Sequence, residues 1–269
     1  MKLYGLLGEK LGHSLSPEIH EQIFKNLNIN GNYALFQIKK EDLSKVIEAI
    51  NVLGISGVNV TIPYKQEIMK YLDFISEEAR NIDAVNTILF KDGKSYGYNT
   101  DYFGFQNMLK REEVILEDKI AVVLGTGGAS KSVIQCLRDS KVKKIYMVSR
   151  NKESIKGYDN TDIVVVSYEE LSNISGDMLI NTTPVGMYPN VNETPVNKEI
   201  ISNFEVIVDI IYNPQETKLL KLGKELGLKT INGMYMLIDQ AVKAEEIWQE
   251  RVIDENISNE IYNNLSKAF

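Results

Sequence analysis

A single cysteine, Cys136, stands in the whole chain. That excludes an internal disulfide framework, which needs pairs, and a thiolate-rich metal site, which needs several sulfurs. Histidine is nearly as scarce: His13 and His20 are the only two. A histidine zinc site or a Ser-His-Asp hydrolase would have to be built from that pair. No apolar run reaches the roughly eighteen residues that a spanning helix requires. The opening Met1-Lys2-Leu3-Tyr4-Gly5-Leu6-Leu7-Gly8 turns polar too soon for a secretory signal, so the cytoplasm is the expected compartment. Excess positive charge is absent as well: 30 Lys and Arg face 37 Asp and Glu, a net −7. Nucleic acid is therefore not an expected partner, although one basic pocket on an acidic protein can still hold a small anion. No internal repeat, low-complexity tract or disordered linker interrupts the chain.

What is present is an ordinary globular balance, 43% apolar and 25% charged over 269 residues, enough for one large domain or two smaller ones. Strands are expected at 3–7, 33–38, 57–62 and 84–90, with a turn at Lys91-Asp92-Gly93-Lys94. Between them lie helical patterns: 17–28, with Ser16 as N-cap and Pro17 in the first turn, and 41–53, where Leu43, Val46, Ile47 and Ile50 recur at helical spacing. A second alternating series begins near Lys119. Strands are expected at 120–124, 144–149, 163–166, 178–181 and 206–211, with a helix at 130–140, and the chain from Met234 onward reads as helical throughout. Strands alternating with helices predict an α/β fold with mainly parallel sheets. The boundary near 101–118 is inferred from the restart of the pattern.

The loop Gly125-Thr126-Gly127-Gly128-Ala129-Ser130 follows a predicted strand and opens a predicted helix. That context suits a dinucleotide: glycines allow the tight turn and close backbone approach, and N–H groups at the helix start face the pyrophosphate. Ser130 occupies the third glycine position, small enough for close helix–strand packing. The next strand ends in Ser149-Arg150-Asn151-Lys152, where an NAD site usually carries an acid for the ribose 2′-hydroxyl. A guanidinium there favours a 2′-phosphate, hence NADP, and Lys152 is placed to help. Read blandly, Arg150 is a solvated strand-end charge.

Four further segments gather polar groups at strand ends or in loops: Gly12-His13-Ser14-Leu15-Ser16-Pro17, Asn59-Val60-Thr61-Ile62-Pro63-Tyr64-Lys65, Ala84-Val85-Asn86-Thr87 and Gly97-Tyr98-Asn99-Thr100-Asp101. Open α/β sheets collect ligands at such places. Hydroxyls, an amide, one cation and one carboxylate suit a small, polyhydroxylated, anionic molecule.

Together with Asn181-Thr182-Thr183-Pro184-Val185-Gly186-Met187 and Met236-Leu237-Ile238-Asp239-Gln240-Ala241, these segments closely resemble the shikimate dehydrogenase family in order and spacing, over almost the whole chain. The resemblance implies two α/β domains with a cleft between them: a substrate domain of residues 1–101 plus 238–269, and a Rossmann-like doubly wound NADP domain of 102–237. It implies NADPH-dependent, reversible reduction of 3-dehydroshikimate to shikimate, on the route to chorismate and aromatic amino acids. Carried over residue by residue, Ser14 and Ser16 would bind the substrate carboxylate. Thr61, Lys65, Asn86, Asp101, Tyr212 and Gln240 would line the ring and its hydroxyls. Gly125, Thr126, Gly127, Gly128 and Ala129 would hold the pyrophosphate, Ser149 and Arg150 the 2′-phosphate, and Thr183, Ile210 and Gly233 would border the nicotinamide half. Lys65 and Asp101 would be the catalytic pair. Glu21, Asp83, Asn151 and Lys152 depart from residues common in the family. No metal is expected; the small-molecule substrate is the expected partner, with no nucleic acid or membrane and a homodimer left open.

Plainer roles stand beside these. Lys65 could be a helix-start lysine, Asp101 an N-cap for a helix from Tyr102, and Gln240 a surface residue. His13 is read as structural, His20 as a helix-face residue, Cys136 as core, and Trp248 as packing for the last helix. Rival functions are a quinate/shikimate dehydrogenase using NAD, a non-catalytic NADP-responsive regulator and, more distantly, a methyltransferase.

Overall fold

The computed structural model describes residues 1–12, 14–155 and 162–267, so His13 lies outside the described residues. The chain divides into two compact units, one of Met1–Gly104 with Ile238–Leu265, the other built on Phe105–Leu237. The first holds β1 (Lys2–Gly8), α1 (Ser16–Leu27), β2 (Gly31–Gln37), α2 (Leu43–Val52), β3 (Gly57–Val60), β4 (Phe74–Ile75), α3 (Glu77–Ile82), β5 (Thr87–Lys91) and β6 (Lys94–Tyr98). The chain passes onward along α4 (Thr100–Arg111). The second unit holds β7 (Ile120–Leu124), α5 (Gly128–Asp139), β8 (Lys144–Val148), β9 (Ile163–Val166), α6 (Tyr168–Leu171), β10 (Met178–Asn181), α7 (Lys198–Ile201), β11 (Val206–Asp209), α8 (Lys218–Glu225) and β12 (Lys229–Ile231). The chain returns along α9 (Met234–Gln249) to α10 (Glu255–Leu265).

The first sheet runs β2-β1-β3-β5-β6-β4. It is parallel across β1, β2 and β3, but β5 is antiparallel to both β3 and β6. The predicted turn at 91–94 makes this reversal, with Asp92 at φ 52 and Gly93 at φ 72, the two left-handed positions that a tight hairpin demands. β4 and β6 have no counterpart among the predicted strands. After β3 comes a short 3₁₀ turn, Glu67–Tyr71.

One core cluster of this unit forms against α9, with Trp248 and Ala244 packed beside Tyr4, Phe24 and Tyr33. Trp248 is 4% exposed and donates its indole N–H to the Ile88 carbonyl at 3.0 Å. Its ring stacks on Tyr4 at 4.8 Å. Gly57 lies beneath it: a Cβ there would meet Trp248 Nε1 at 2.3 Å, so only glycine lets the strand pass. Burying an indole of about 200 Å² contributes roughly 5 kcal/mol. His20 sits on the inward face of α1. It is fully buried, stacks on Tyr33 at 4.1 Å and meets the buried Glu245 at 2.7 Å. The C-terminal region is two helices, broken where Glu250 takes φ 51.

The second sheet is wholly parallel, ordered β12-β11-β10-β7-β8-β9. Counted from β7, this is the 3-2-1-4-5-6 order of a doubly wound nucleotide fold, and the order reverses between β7 and β10. Dense apolar runs such as Ile120–Leu124 form its centre because these strands are covered on both faces. α5 starts at Gly128, two residues before the expected position, so the loop's own glycines form the helix start. Among the described residues no helix is long and apolar enough to cross a membrane.

Candidate active site

In the first unit, β3 ends at Val60 and the chain turns over Thr61–Tyr64, closed by the Tyr64 N–H on the Thr61 carbonyl at 3.0 Å. Tyr64 is fully buried and its hydroxyl donates to the Ile38 carbonyl at 2.9 Å. Lys65 follows this anchor, and its own carbonyl accepts from the Val85 N–H at 2.8 Å. Its side chain therefore leaves from a backbone pinned on both sides. Lys65 Nζ lies 2.5 Å from Asp101 Oδ2, with side-chain exposures of 18% and 13%.

Asp101 sits in the first turn of α4 but does not cap it. The helix begins at Thr100, and Asn99 Oδ1 accepts the Tyr102 N–H at 3.3 Å. The carboxylate is thus left for side chains. Its Oδ1 accepts from Asn86 Nδ2 at 2.9 Å. Asn86 is fixed in turn, its Oδ1 accepting from the Thr100 N–H at 2.6 Å and from Thr87 Oγ1 at 3.0 Å. Behind it Asn59 donates to Thr87 Oγ1 at 3.0 Å, and Tyr33 donates to Asn59 Oδ1 at 2.7 Å. Every donor in this buried chain points toward Asp101. Burial holds the Tyr33 phenol well above its ordinary range, so it remains a donor. Tyr33, Asn59 and Thr87 carry no role in the sequence reading. The signal for Asn59 is a polar side chain inside an apolar strand; nothing in the sequence singles out Tyr33.

Ser14 and Ser16 are also brought together. The Ser14 hydroxyl accepts from the Ser16 N–H at 3.2 Å and lies 3.1 Å from the Ser16 hydroxyl. Ser16 is the first residue of α1, not its cap; Leu15 holds the cap position, with no side-chain cap bond. Thr61 is half-buried, its methyl against Gly8. Gln240 is half-buried on α9. Asp83 takes φ 58 at the end of α3, a left-handed position that favours glycine, and accepts from Gln66 at 2.6 Å.

In the second unit, Gly125, Thr126, Gly127, Ser149, Arg150 and Thr183 line one cavity of about 430 Å³ with Asn151 and Tyr168. It lies at the switch between β7 and β10, where doubly wound sheets bind ligands. Gly125 holds φ +105, and a Cβ on it would come within 2.9 Å of Thr183 Cγ2. At Gly127 and Gly128 a Cβ would meet nothing within 4 Å: open space faces the backbone at the start of α5. Bare N–H groups, a helix N-terminus and open room fit a pyrophosphate. Ser130 is 2% exposed and its hydroxyl donates to the Gly127 carbonyl at 2.6 Å, so it closes the loop onto the helix. Arg150 is exposed at the end of β8. The Lys152 ammonium lies 2.6 Å from Glu170.

Thr183 is held by Asn181, whose Oδ1 accepts both its N–H at 3.0 Å and its hydroxyl at 2.7 Å. Asn181 donates at 3.0 Å to Asp209, its partner on the neighbouring strand. Asp209 is fully buried, and burial pushes its pKa up to about 6 against the pull of donors on Thr217, Ile211 and Asn181. An acid inside the apolar run Val206–Ile211 is the sequence signal for it. Gly233 backs onto Ile210, where a Cβ would meet the Ile210 carbonyl oxygen at 1.9 Å. Tyr212 belongs to this second unit and is half-buried, its phenol raised by burial.

A sequence profile for the shikimate dehydrogenase substrate binding domain matches residues 6–88. The chain is 54% identical over 269 residues, 100% of both chains, to the shikimate dehydrogenase (NADP(+)) of Clostridium beijerinckii. Shikimate dehydrogenase 1 from Peptoclostridium difficile has a similar solved structure, with a TM-score of 0.89 at 51% identity, covering 100% of this chain and 99% of that one. Shikimate 5-dehydrogenase from Thermus thermophilus, solved with NADP(H) and shikimate, has a TM-score of 0.88 at 30% identity, covering 98% of this chain and 99% of that one.

Proposed function

The chain belongs to the shikimate dehydrogenase family, and we propose that it interconverts 3-dehydroshikimate and shikimate with NADPH and NADP, using Lys65 and Asp101 at the reacting oxygen. The first unit is the substrate domain and the second the nucleotide domain. The observation that carries the assignment is the 2.5 Å approach of Lys65 to Asp101, two groups 36 positions apart that a buried polar chain holds in register.

When bound, NADPH supplies a hydride. The protein's own task is the oxygen. Reduction of a ketone leaves negative charge there, and an ammonium both stabilises that charge and delivers a proton. Lys65 has three N–H donors and commits one to Asp101, which leaves donors for the substrate oxygen. Asp101 keeps the ammonium oriented, and Asn86 keeps Asp101 oriented. In the oxidative direction Lys65 accepts the hydroxyl proton, with Asp101 stabilising the charge that forms. Ser14 and Ser16, paired at the start of α1, bind the substrate carboxylate, aided by the positive end of that helix. Thr61, Gln240 and Tyr212 contact ring hydroxyls.

At the nucleotide side, Gly125 through Ala129 hold the pyrophosphate. Ser149 and Arg150 hold the 2′-phosphate, and Thr183, Ile210 and Gly233 border the nicotinamide half. A cytoplasmic location goes with this reading, and the lone buried Cys136, its thiol pushed up to about 12 by burial, suits a reducing compartment. The experiment is steady-state turnover with shikimate and NADP, followed at the NADPH absorbance band. A rise that depends on both compounds is expected. No rise, in protein that still binds NADPH, would replace the enzyme by a non-catalytic NADP-responsive regulator. Faster turnover of quinate with NAD would move the assignment to the quinate/shikimate rival.

A further inference from the structure

Lys152, expected to stand beside Arg150 at the adenosine end of the cavity, pairs with Glu170 at 2.6 Å. Glu170 is held twice more. Its Oε2 accepts the Ser167 N–H at 2.7 Å, while its own N–H donates to the Ser167 hydroxyl at 3.2 Å, a reciprocal capping box. The capping box fixes the first turn of α6, and the Lys152–Glu170 pair ties that turn to the loop that follows β8. The residue fixed between them is Tyr168, the first of α6. It lies in the wall of the same cavity as Ser149, Arg150 and Asn151. Its side chain is half-buried and lies within reach of the Arg150 charge.

We infer that Tyr168 is a second phosphate-selecting residue, its hydroxyl donating to the 2′-phosphate that Arg150 pairs with, and that Lys152 supports this contact from behind by holding α6. The inference rests on the reading of Arg150 as the 2′-phosphate site. A phosphate monoester carries more acceptor sites than one guanidinium can cover, and a phenol O–H supplies a further charge-assisted bond. Burial raises the Tyr168 phenol, so it is protonated and able to donate at neutral pH. A 2′-hydroxyl offers no charge to either group, so the pair discriminates between the two nucleotides rather than tightening both.

Calorimetric titration with adenosine 2′,5′-bisphosphate and with 5′-AMP separates the terms without turnover. The wild-type protein should bind the bisphosphate more tightly. Tyr168→Phe should weaken the bisphosphate about tenfold and leave 5′-AMP within about twofold. Lys152→Met should weaken the bisphosphate about threefold, and the double variant should be no worse than Tyr168→Phe alone, because both act through one contact. Full additivity would mean that Lys152 acts independently of Tyr168 and would overturn its supporting role. An unchanged Tyr168→Phe, with Tyr168→Leu weakening both probes equally, would make the ring an adenine wall and overturn the hydroxyl assignment. A wild-type protein that binds both probes alike would sink the Arg150 reading itself, a separate failure visible before any Tyr168 variant is made.

Discussion

Asp101 in the first unit and Asp209 in the second are both drawn out of water, and they are satisfied in opposite ways. Asp101 keeps 13% side-chain exposure and faces a cation, Lys65, at 2.5 Å. Asp209 has no exposure and is held by neutral donors: the Thr217 hydroxyl at 2.7 Å, the Asn181 amide at 3.0 Å and the Ile211 N–H at 3.1 Å. A carboxylate beside an ammonium keeps a mobile proton within reach of a ligand. A carboxylate among amides and hydroxyls fixes their orientation, here Asn181 and through it Thr183. The first arrangement is built for chemistry and the second for geometry, and variants should separate them.

The largest effect belongs to the first. Lys65→Ala should lower kcat by about three orders of magnitude with little change in the KM for shikimate, as expected for loss of a proton donor. Steady-state kinetics check it; near-normal turnover would remove Lys65 from the chemistry.

Asp209 should show itself in stability. Burial raises its pKa from 3.8 to about 6, so the folded state binds this proton more tightly than the unfolded chain does. Its contribution is fully present below about pH 4 and is lost as pH rises through 6. The ionised form then costs the folded state up to about 3 kcal/mol. Asp209→Asn is neutral throughout, and its carbonyl can still accept from Asn181 and Ile211 while its amide turns to Thr217. The variant should match wild type near pH 4 and melt several degrees higher at pH 7.5. A difference in Tm that stays flat between those pH values would show that Asp209 does not titrate there.

The glycine loop gives a smaller, mixed effect. Gly125→Ala forces φ +105 on a side chain that would also press Thr183, costing about 1–3 kcal/mol in strain. The NADP KM should rise about tenfold while the KM for shikimate holds. An unchanged NADP KM would mean that the loop backbone does not approach the cofactor.

How much of this is legible beforehand depends on how each region is built. Strands covered on both faces leave dense apolar runs, and Ile120–Leu124 and Met178–Asn181 match their expected bounds; so does Ile163–Val166, apolar although it lies at a sheet edge with Val164 exposed. β12 leaves no such run because Lys229-Thr230-Ile231 is three residues at a sheet edge. β6 is masked for another reason: Ser95 and Gly97 break the apolar alternation, and Ser95 is buried only because Asp73 accepts its N–H and hydroxyl at 2.8 and 2.7 Å. Both capping assignments missed because a polar residue before a helix is read as its cap: α1 starts at Ser16 itself with no side-chain cap, and Asn99, two residues before Asp101, carries the bond at α4. The nucleotide loop is contiguous and readable as a string. The chain of bonds from Tyr33 to Asp101 joins residues on separate strands to a helix, and only tertiary structure aligns its donors.

Arg150 is the charged side chain in a nucleotide site otherwise made of backbone, hydroxyls and small residues, and its removal tests that contrast at its weakest point. An exposed guanidinium loses much of its pull to solvent and salt. Arg150→Ala should therefore raise the NADP KM only about tenfold, leave the NAD KM unchanged, and narrow the NADP/NAD preference by the same factor. Salt gives a second handle on the same term. Raising ionic strength should shrink the wild-type preference and leave that of Arg150→Ala nearly constant, because a screened charge already deleted has nothing further to lose. A wild-type preference indifferent to salt would place the selectivity in shape rather than charge, and would make the two units more alike than Asp101 and Asp209 suggest.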